Sequence, residues 1–316
     1  MKIFRNLDEI NNMPESAVAL GSFDGVHLGH QELIRRTSEL AESLEIATAV
    51  FTFSNHPRDL IPGNVKTKNI LYSEDKEKIM EELGVDYLID IPFTEEIMHM
   101  SPENYVRELL IDKLNAKAIC CGFNHRFGHR AEGTPELLKE IGEELGFTAY
   151  VMEPFYVDDT LVSSTLIRTL IAEGEVESCY EYLGRYYAIS GDVVVGNRLG
   201  KSLGFPTSNL VMDDSMVAPP NGVYITYCTY NGVRYPSITN VGVKPTVGTF
   251  EKNIETHIFD FDGNIYGKRI LVEFIRKMRD EVKFDSMEKL KKQIRKDCDA
   301  AKAYHEERCE GINYQK

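Results

Sequence analysis

Two histidines, His27 and His30, stand three residues apart after a glycine-rich turn in the segment VALGSFDGVHLGH (18–30). A short apolar run at 18–20 precedes the turn, and the spacing predicts that both histidines lie on the first turn of a helix. A strand, a glycine turn and a helix N-terminus together bind anions, because backbone N–H groups and the positive end of the helix dipole point at the ligand. Two histidine rings on one face add donors that can carry charge. The segment is therefore typical of a site that handles polyphosphates.

Two further segments combine groups that suit phosphate. The segment GFNHRFGH (122–129) brings glycines, the amide of Asn124, an arginine and two histidines into one predicted loop. The segment VSSTLIRTLIAEG (162–174) places hydroxyls at a predicted helix start, with Arg168 one turn further on. Its hydroxyl residues are Ser163, Ser164 and Thr165. Taken alone, the first segment is equally compatible with a solvated basic loop, and the second with an ordinary helix cap.

A fourth candidate is the segment GNRLGKSLGFPTSNL (196–210), in which glycines and two basic residues describe a flexible flap. Its glycines and basic residues are Gly196, Arg198, Gly200, Lys201 and Gly204. Thr207 and Asn209 alternate on a predicted strand, so their side chains point to one face. Hydroxyl and amide oxygens are hard ligands that suit Mg²⁺. A glycine-rich hairpin ended by a proline explains the same letters equally well.

The composition limits the class of protein. The 316 residues are enough for two domains, and the net charge is −14. Residues 1–184 hold 16 Lys and Arg against 33 Asp and Glu, a net charge of −17, whereas residues 185–316 have a net charge of +3. Neither part has the basic balance of a nucleic-acid binder. An acidic protein that binds phosphates must concentrate its cations locally, which adds weight to the basic groups beside glycine turns.

The compartment predicted from the sequence is the cytoplasm. No apolar run approaches the roughly 20 residues that span a bilayer, and the first ten residues are too acidic for a signal peptide. The six cysteines form no CxxC pair, which argues against a zinc site or a redox pair and favours buried free thiols.

The first part of the chain alternates between strand-like and helix-like segments, which predicts a parallel sheet covered by helices. The predicted strands are 17–20, 46–53, 87–91, 118–122 and 147–152, and the predicted helices are 31–44, 73–83, 102–114 and 135–145. Ser73, Ser101 and Thr134 are the predicted N-caps of the last three helices. Because ligands bind at the carboxyl ends of such strands, the segments 21–30 and 122–128 should lie on the functional edge.

The second part of the chain reads as a small antiparallel barrel. Its predicted strands are 186–195, 223–230, 233–241, 255–259 and 268–274. Asn231-Gly232 between two of them is a strong hairpin signal, and Ser286 caps a closing helix predicted over 287–307. The change of character predicts two domains, 1–184 and 185–316.

The motifs of the first part resemble a known family. HxGH near an N-terminus resembles the nucleotidyltransferase superfamily, and the longer string GSFDGVHLGH resembles its FAD synthetase branch. GFNHRFGH and SSTLIR are similar to the second and third motifs of that branch, although His125 stands where the family usually has an aromatic residue. The resemblance implies a Rossmann-like fold and adenylyl transfer, in which FMN attacks the α-phosphate of ATP to give FAD and pyrophosphate. It implies charge stabilisation by His27, His30 and Arg168. It implies ATP or phosphate binding by Gly21, Ser22, Phe23, Asp24, Gly29, Asn124, Ser163, Ser164 and Thr165.

The motifs of the second part resemble riboflavin kinases. PTSN at 206–209 is similar to the usual PTAN signature, and NIETHIFDFDGNIYGKRILVEF (253–274) matches the same family. The resemblance implies that Glu255 is the general base that takes a proton from riboflavin, and that Thr207 and Asn209 bind Mg²⁺. It implies ATP binding by Gly196, Arg198, Gly200 and Lys201, and a flavin contact by Arg279.

The two resemblances cover nearly the whole chain and together match the bifunctional bacterial riboflavin kinase/FAD synthetases. They imply riboflavin, FMN, FAD and ATP as ligands, with Mg²⁺ as the metal, and neither nucleic acid nor a membrane as partner. They leave the oligomeric state open. Two alternatives remain: only one module is active, or the chain is a non-catalytic flavin- or nucleotide-binding regulator. An aminoacyl-tRNA synthetase, which HxGH alone also allows, would need further domains and a basic tRNA-binding surface.

Overall fold

The chain divides into two units, Met1–Ser164 and Thr165–Lys316, in a computed structural model that describes residues 1–60, 63, 66–196, 200, 203–246 and 249–312. The division falls twenty residues before the boundary of 184/185 at which the sequence pattern changes. Arg198 and Lys201, two residues of the predicted flap, lie outside the described residues.

The first unit contains the predicted parallel sheet, with six strands in the order β1-β4-β3-β2-β5-β6. The strands are β1 (Lys2–Phe4), β2 (Ser16–Leu20), β3 (Ala47–Phe53), β4 (Tyr87–Ile91), β5 (Ala116–Gly122) and β6 (Thr148–Met152). All five residues of β2 are buried, as expected of a central strand with both faces covered. Five of these strands match predicted ones, whereas β1 was not predicted.

The helices of this unit are α1 (Leu28–Leu44), α2 (Ser73–Glu82), α3 (Glu95–His99), α4 (Pro102–Asn104), which continues as a π-helical segment (Tyr105–Lys113), and α5 (Pro135–Leu145). Two predicted N-caps are confirmed: the hydroxyls of Ser101 and Thr134 each accept a backbone N–H at 3.2 Å. The prediction for Ser73 was wrong. Tyr72 occupies the N-cap position without a side-chain cap, and its carbonyl oxygen accepts the first intrahelical bond, from the N–H of Lys76.

The order of the strands creates a switch point between β2 and β5. From β2 the chain moves to β3 on one side, whereas β5 pairs with β2 on the other, with Leu20 opposite Cys121. The loops that leave these two neighbouring strands at their carboxyl ends start at Gly21 and after Gly122. Ligands of open α/β sheets bind at such a point. The two loops predicted to carry phosphate chemistry therefore lie side by side.

A buried ion pair fastens α2 to β4. Asp90 is only 1% exposed, and its Oδ2 lies 3.0 Å from Nζ of Lys76 and 3.5 Å from Nη1 of Arg5. We expect Lys76→Met to lower the free energy of unfolding by about 2–3 kcal/mol, because it leaves a buried carboxylate without its closest cation. Urea denaturation measures this loss.

Lys78→Met is the matched control for this prediction. Lys78 lies on the same helix, but its side chain is 62% exposed and its ion pair with Asp75 is 3.4 Å long. An exposed pair of this kind contributes at most about 1 kcal/mol. Equal losses for the two substitutions would contradict the structural importance of the Asp90 pair.

The second unit contains the predicted barrel, whose six strands pair antiparallel in the order β10-β13-β12-β11-β14-β9. The first unit ends shortly after a hairpin of β7 (Tyr156–Val157) and β8 (Thr160–Leu161), and the helices α6 (Ser164–Glu173) and α7 (Cys179–Leu183) precede the barrel. The barrel strands are β9 (Tyr187–Asp192), β10 (Ser208–Val211), β11 (Gly222–Tyr230), β12 (Val233–Thr246), β13 (Thr249–Ile258) and β14 (Arg269–Asp280). The N–H of Val194 donates to the carbonyl oxygen of Asn209 at 2.9 Å, so the barrel is nearly closed. The predicted Asn231-Gly232 hairpin is confirmed, since both residues have positive φ.

The closing helix α8 (Met287–Ile312) begins as predicted, and the hydroxyl of Ser286 accepts the N–H of Lys289. Inside the barrel, Thr226, Thr239 and Thr256 are joined by hydroxyl–hydroxyl bonds of 2.8 Å. Because successive strand residues point to opposite faces, the inward side chain of Thr256 turns its neighbour Glu255 to the other face of β13.

The cysteines that the structure describes are free and buried, as the sequence predicted. They are Cys120, Cys121, Cys179, Cys228 and Cys298. Burial raises the pKa of the Cys120 thiol to about 11, so it stays protonated and unreactive at neutral pH. Within the described ranges, no helix is both long enough and apolar enough to cross a membrane.

Candidate active sites

The loop between β2 and α1 is held in an unusual backbone conformation. Phe23, Gly25 and Val26 have φ values of 48°, 80° and 37°, in the left-handed region that residues with a Cβ seldom adopt. The side chains of Phe23 and Val26 are fully buried, which anchors the loop against the core. Such strain of roughly 1–3 kcal/mol per residue persists only where the surroundings enforce it, and it is commonly found at functional sites.

Asp24 ties this loop to two other segments. Its Oδ1 accepts the N–H groups of Ile70 and Leu71 at 2.8 and 3.4 Å, and its carbonyl oxygen accepts the Ser164 hydroxyl at 2.8 Å. The neighbouring residue Ser22 is exposed, and its carbonyl oxygen accepts the Thr52 hydroxyl. The observed contacts of Asp24 are therefore structural, and they bring Ser164 to the predicted phosphate cradle.

His27 and His30 form a stacked pair at the N-terminus of α1, where the spacing predicted a helix start. His27 is the buried N-cap, and its Nδ1 accepts the backbone N–H of His30 at 3.2 Å. An accepting Nδ1 leaves the proton of the neutral ring on Nε2. The two rings lie 3.6 Å apart, 13° from parallel, and the His30 ring also contacts Phe23. Gly29 is buried in the same helical turn. The pair therefore lies where the helix dipole favours an anion.

The loop after β5 presents Asn124 and buries the ring nitrogen of His125. Asn124 is exposed just beyond the end of the strand. The His125 ring stacks on Phe127 with centroids 5.9 Å apart, and its Nε2 is buried without a hydrogen-bond partner among the described residues. Burial, and to a smaller extent the charge of Arg126, lowers the pKa of His125 to about 4. His125 is therefore neutral at neutral pH and packs as an aromatic ring, which explains how it replaces the family's usual residue.

The predicted SSTLIR motif consists of Ser163, which precedes α6, and the first five residues of that helix. Ser164 is the first helical residue and belongs to the first unit, where its hydroxyl reaches the loop after β2. Ser163 is half-buried beside it. Thr165 and Arg168 fall in the second unit, at an exposed and a half-buried position of the helix.

In the barrel, the side chains of Asn209, Asn253 and Glu255 meet across β10 and β13. Asn209 and Glu255 are predicted site residues, whereas Asn253 was not predicted. Asn209 stands opposite Glu255 in the strand register. Nδ2 of Asn253 donates to Glu255 Oε1 at 2.7 Å and lies 3.4 Å from Asn209 Oδ1. Thr207 adjoins this cluster, and its carbonyl oxygen accepts from Asn209. The sequence analysis missed Asn253, although its position two residues before Glu255 on a strand would have placed it on the same face.

Two glycines of the predicted flap are required by close packing. A Cβ at Gly196 would lie 2.6 Å from side-chain atoms of Asn209, and a Cβ at Gly200 would lie 2.3 Å from the carbonyl oxygen of Phe205. The first contact places Gly196 directly against Asn209. A side chain at position 196 would displace Asn209, and one at position 200 would displace the backbone at Phe205.

Arg279 on β14 is engaged by α8. Its Nη2 lies 2.7 Å from Oδ2 of the buried Asp297, which also accepts from Gln293. A further nitrogen, Nη1, donates to the carbonyl oxygen of Asp280. These bonds attach the closing helix to the barrel, and the flavin contact of Arg279 stays a prediction.

Comparisons with known families match both halves of the chain. Residues 9–166 match the FAD synthetase family, and residues 183–305 match the riboflavin kinase family. The segment between the two matches, residues 167–182, contains most of α6 and most of α7.

Curated relatives match over nearly their whole length and carry the name bifunctional riboflavin kinase/FMN adenylyltransferase. The protein of Buchnera aphidicola subsp. Schizaphis graminum is 35% identical, covering 96% of this chain and 99% of the relative. The protein of Haemophilus influenzae is 33% identical with the same coverage, and that of Bacillus subtilis is 35% identical, covering 92% of each chain. A crystal structure named macrolide-efflux protein from Streptococcus pneumoniae has a TM-score of 0.86 at 30% identity, covering 95% of this chain and 98% of that chain.

Proposed function

The chain belongs to the bifunctional riboflavin kinase/FMN adenylyltransferase family, and from this premise we propose which of its residues perform each reaction. The enzyme phosphorylates riboflavin to FMN and adenylylates FMN to FAD, with release of pyrophosphate. We assign adenylyl transfer to a domain of residues 1–184 and the kinase reaction to a domain of residues 185–316. The observation that carries the assignment is the presence of two separate polar constellations, one beside β2 and β5 and the other across β10 and β13.

In the kinase site, Glu255 is the general base. Its carboxylate accepts the proton of the ribityl 5′-hydroxyl as that oxygen forms a bond to the γ-phosphorus of ATP, and the bond to the β-phosphate oxygen breaks to release ADP. Glu255 is half-buried and is held by Asn253, so its carboxylate is oriented before the substrate arrives. Gly196 lies against Asn209 of this cluster, and we assign the binding of the ATP phosphates to Gly196, Arg198, Gly200 and Lys201.

The oxygen atoms of Thr207 and Asn209 suit Mg²⁺. A hydroxyl and an amide oxygen are hard ligands, and Mg²⁺ is commonly held by few protein ligands together with substrate phosphates. Among the residues that the structure describes, no group of three His, Cys, Asp or Glu could hold a metal in another way. The proposal is supported by the acceptor oxygens in the cluster, since Oδ1 of Asn209 and Oε1 of Glu255 both lie beside Nδ2 of Asn253. Bound Mg²⁺ would neutralise charge that develops on the transferring phosphoryl group.

In the adenylyltransferase site, positioning and electrostatic stabilisation supply the rate. A phosphate oxygen of FMN forms a bond to the α-phosphorus of ATP as the bond to pyrophosphate breaks, and no covalent intermediate with the enzyme is needed. The Nε2–H of His27, the His30 ring and the Arg168 guanidinium stabilise the negative charge of the transition state. Backbone N–H groups at helix starts favour anions. We therefore assign the binding of the phosphates to residues 21–24, Gly29, Asn124 and residues 163–165.

We propose a cytoplasmic location for the enzyme. The support is the set of buried free thiols, which suits a reducing compartment, and the use of ATP as a co-substrate.

A time course of flavin products tests the proposed function. Purified protein is incubated with riboflavin, ATP and Mg²⁺, and the flavins are separated by chromatography. We expect FMN to appear first and FAD to follow, with one pyrophosphate released for each FAD. FMN without FAD, even when FMN is supplied, would identify a monofunctional kinase. Tight flavin binding without ATP consumption would identify a regulator, and either outcome contradicts the proposal.

A further inference from the structure

Asn253 lies at the centre of the barrel cluster, and we infer that it is a positioning residue of the kinase reaction, which fixes the carboxylate of Glu255 beside Asn209. The inference rests on the proposed role of Glu255 as the general base. Neither the family resemblance nor the motif letters single out this asparagine. Its importance follows from its burial and its contacts.

One NH₂ group makes both contacts. Nδ2 of Asn253 lies 2.7 Å from Oε1 of Glu255, within the range of a charge-assisted hydrogen bond, and 3.4 Å from Oδ1 of Asn209. An amide nitrogen has two protons, so it can serve both acceptors at once. Asn253 and Glu255 lie two residues apart on β13, and Asn209 lies on the paired strand β10. The amide therefore links the proposed base to the proposed metal ligand across the two strands.

The surroundings of Oδ1 of Asn253 indicate which contact determines the orientation of this amide. Asn253 is 4% exposed, and its Oδ1 is buried without a hydrogen-bond partner among the described residues. A buried acceptor without a partner is costly and rare in native proteins. Turning the amide over would place this oxygen against the carboxylate of Glu255, where two acceptors repel. The hydrogen bonds donated by Nδ2 of Asn253 thus outweigh the free-energy cost of its unpartnered Oδ1. This arrangement is expected if Asn253 serves to position Glu255.

Two substitutions separate this role from simple packing. Asn253→Ala removes the amide, and Asn253→Asp keeps its size and one oxygen but replaces the donor nitrogen by a second anionic oxygen. If the donor positions Glu255, we expect Asn253→Ala to lower kcat for riboflavin phosphorylation about tenfold to a hundredfold, the usual effect of losing a hydrogen bond to a charged group. The KM for riboflavin should change by less than about twofold, because a positioning residue acts on the transition state rather than on uniform binding.

The order of the two variants is the decisive readout. We expect Asn253→Asp to be slower than Asn253→Ala, because it sets one carboxylate against another. If Asn253 only fills space, or if its oxygen is the working atom, Asn253→Asp is faster than Asn253→Ala, and the inference is overturned. A raised KM with unchanged kcat overturns it as well. Conversion of FMN to FAD by the same preparations is the internal reference, and both variants should retain it.

Glu255→Gln distinguishes failure of this inference from failure of the proposed function. If Glu255→Gln retains full kinase activity, Glu255 is not the base, and the proposed function of the cluster fails together with the inference. If Glu255→Gln is inactive while both Asn253 variants match the native enzyme, the base assignment stands and only the role of Asn253 is refuted. Thermal unfolding of all three variants verifies that the barrel is folded.

Discussion

Glu255→Gln is expected to lower the rate of riboflavin phosphorylation by about 10²–10⁴, the usual contribution of a general base. The substitution keeps the size of the side chain and an oxygen that accepts from Asn253, so the cluster retains its shape. It removes only the ability to take up the proton of the ribityl hydroxyl. The measurement is the initial rate of FMN formation from riboflavin and ATP, with the conversion of supplied FMN to FAD followed in parallel. The second rate should be unchanged.

Asp262→Asn is the matched control for Glu255→Gln. Asp262 is an exposed acid in the connection that follows β13, so its neutralisation changes the net charge of the domain by the same amount. We expect the native rate of FMN formation from this variant. Native rates from Glu255→Gln, or equal losses from both substitutions, would show that proton transfer does not depend on Glu255.

His30→Ala is expected to lower the rate of FMN adenylylation by about 10²–10³, the effect of removing one preorganised group that stabilises transition-state charge. The variant loses the ring that stacks on His27 at the start of α1. The backbone N–H of residue 30 remains, so Nδ1 of His27 keeps its partner and the helix keeps its cap. Formation of FAD from FMN and ATP, measured together with pyrophosphate release, reports the loss. Phosphorylation of riboflavin should proceed at the native rate.

His99→Ala is the control for the loss of a histidine ring. His99 lies exposed at the end of α3 and stacks on His129, outside the loop between β2 and α1. We expect this variant to adenylylate FMN normally. The assignment of His30 fails if adenylylation survives in His30→Ala, or if kinase activity falls by the same factor.

Much of the fold was predictable because local signals and burial agree. Several elements combine a local sequence preference with a requirement of tertiary packing. They are the Asn231-Gly232 turn, the helix caps at Ser101 and Thr134, and the buried strand β2. The three-residue strand β1 was missed because so short an edge strand carries no measurable periodicity. The π-helical segment after α4 was missed for a related reason: its letters fit an ordinary helix, and only the packing selects the wider turn.

The candidate sites were predictable in residue type but not in connectivity. The sequence placed His27 and His30 on one helical turn, but it did not show that His27 is the N-cap, which defines its tautomer. It did not reveal that Asp24 connects three segments, because its partners are distant in the chain: the backbone N–H groups of Ile70 and Leu71 and the hydroxyl of Ser164. Asn253 was overlooked because an asparagine on a strand has no chemical signature until the register sets it beside Glu255.

The central claim is that two separate sites in one chain act in succession, and mixing the two inactive variants tests it most directly. With riboflavin and ATP, His30→Ala alone should accumulate FMN, and Glu255→Gln alone should leave riboflavin unchanged. A mixture of the two should produce FAD, because FMN released by one protein is adenylylated by the other. A mixture that forms FMN but no FAD, under conditions in which the native enzyme makes FAD, would contradict the account.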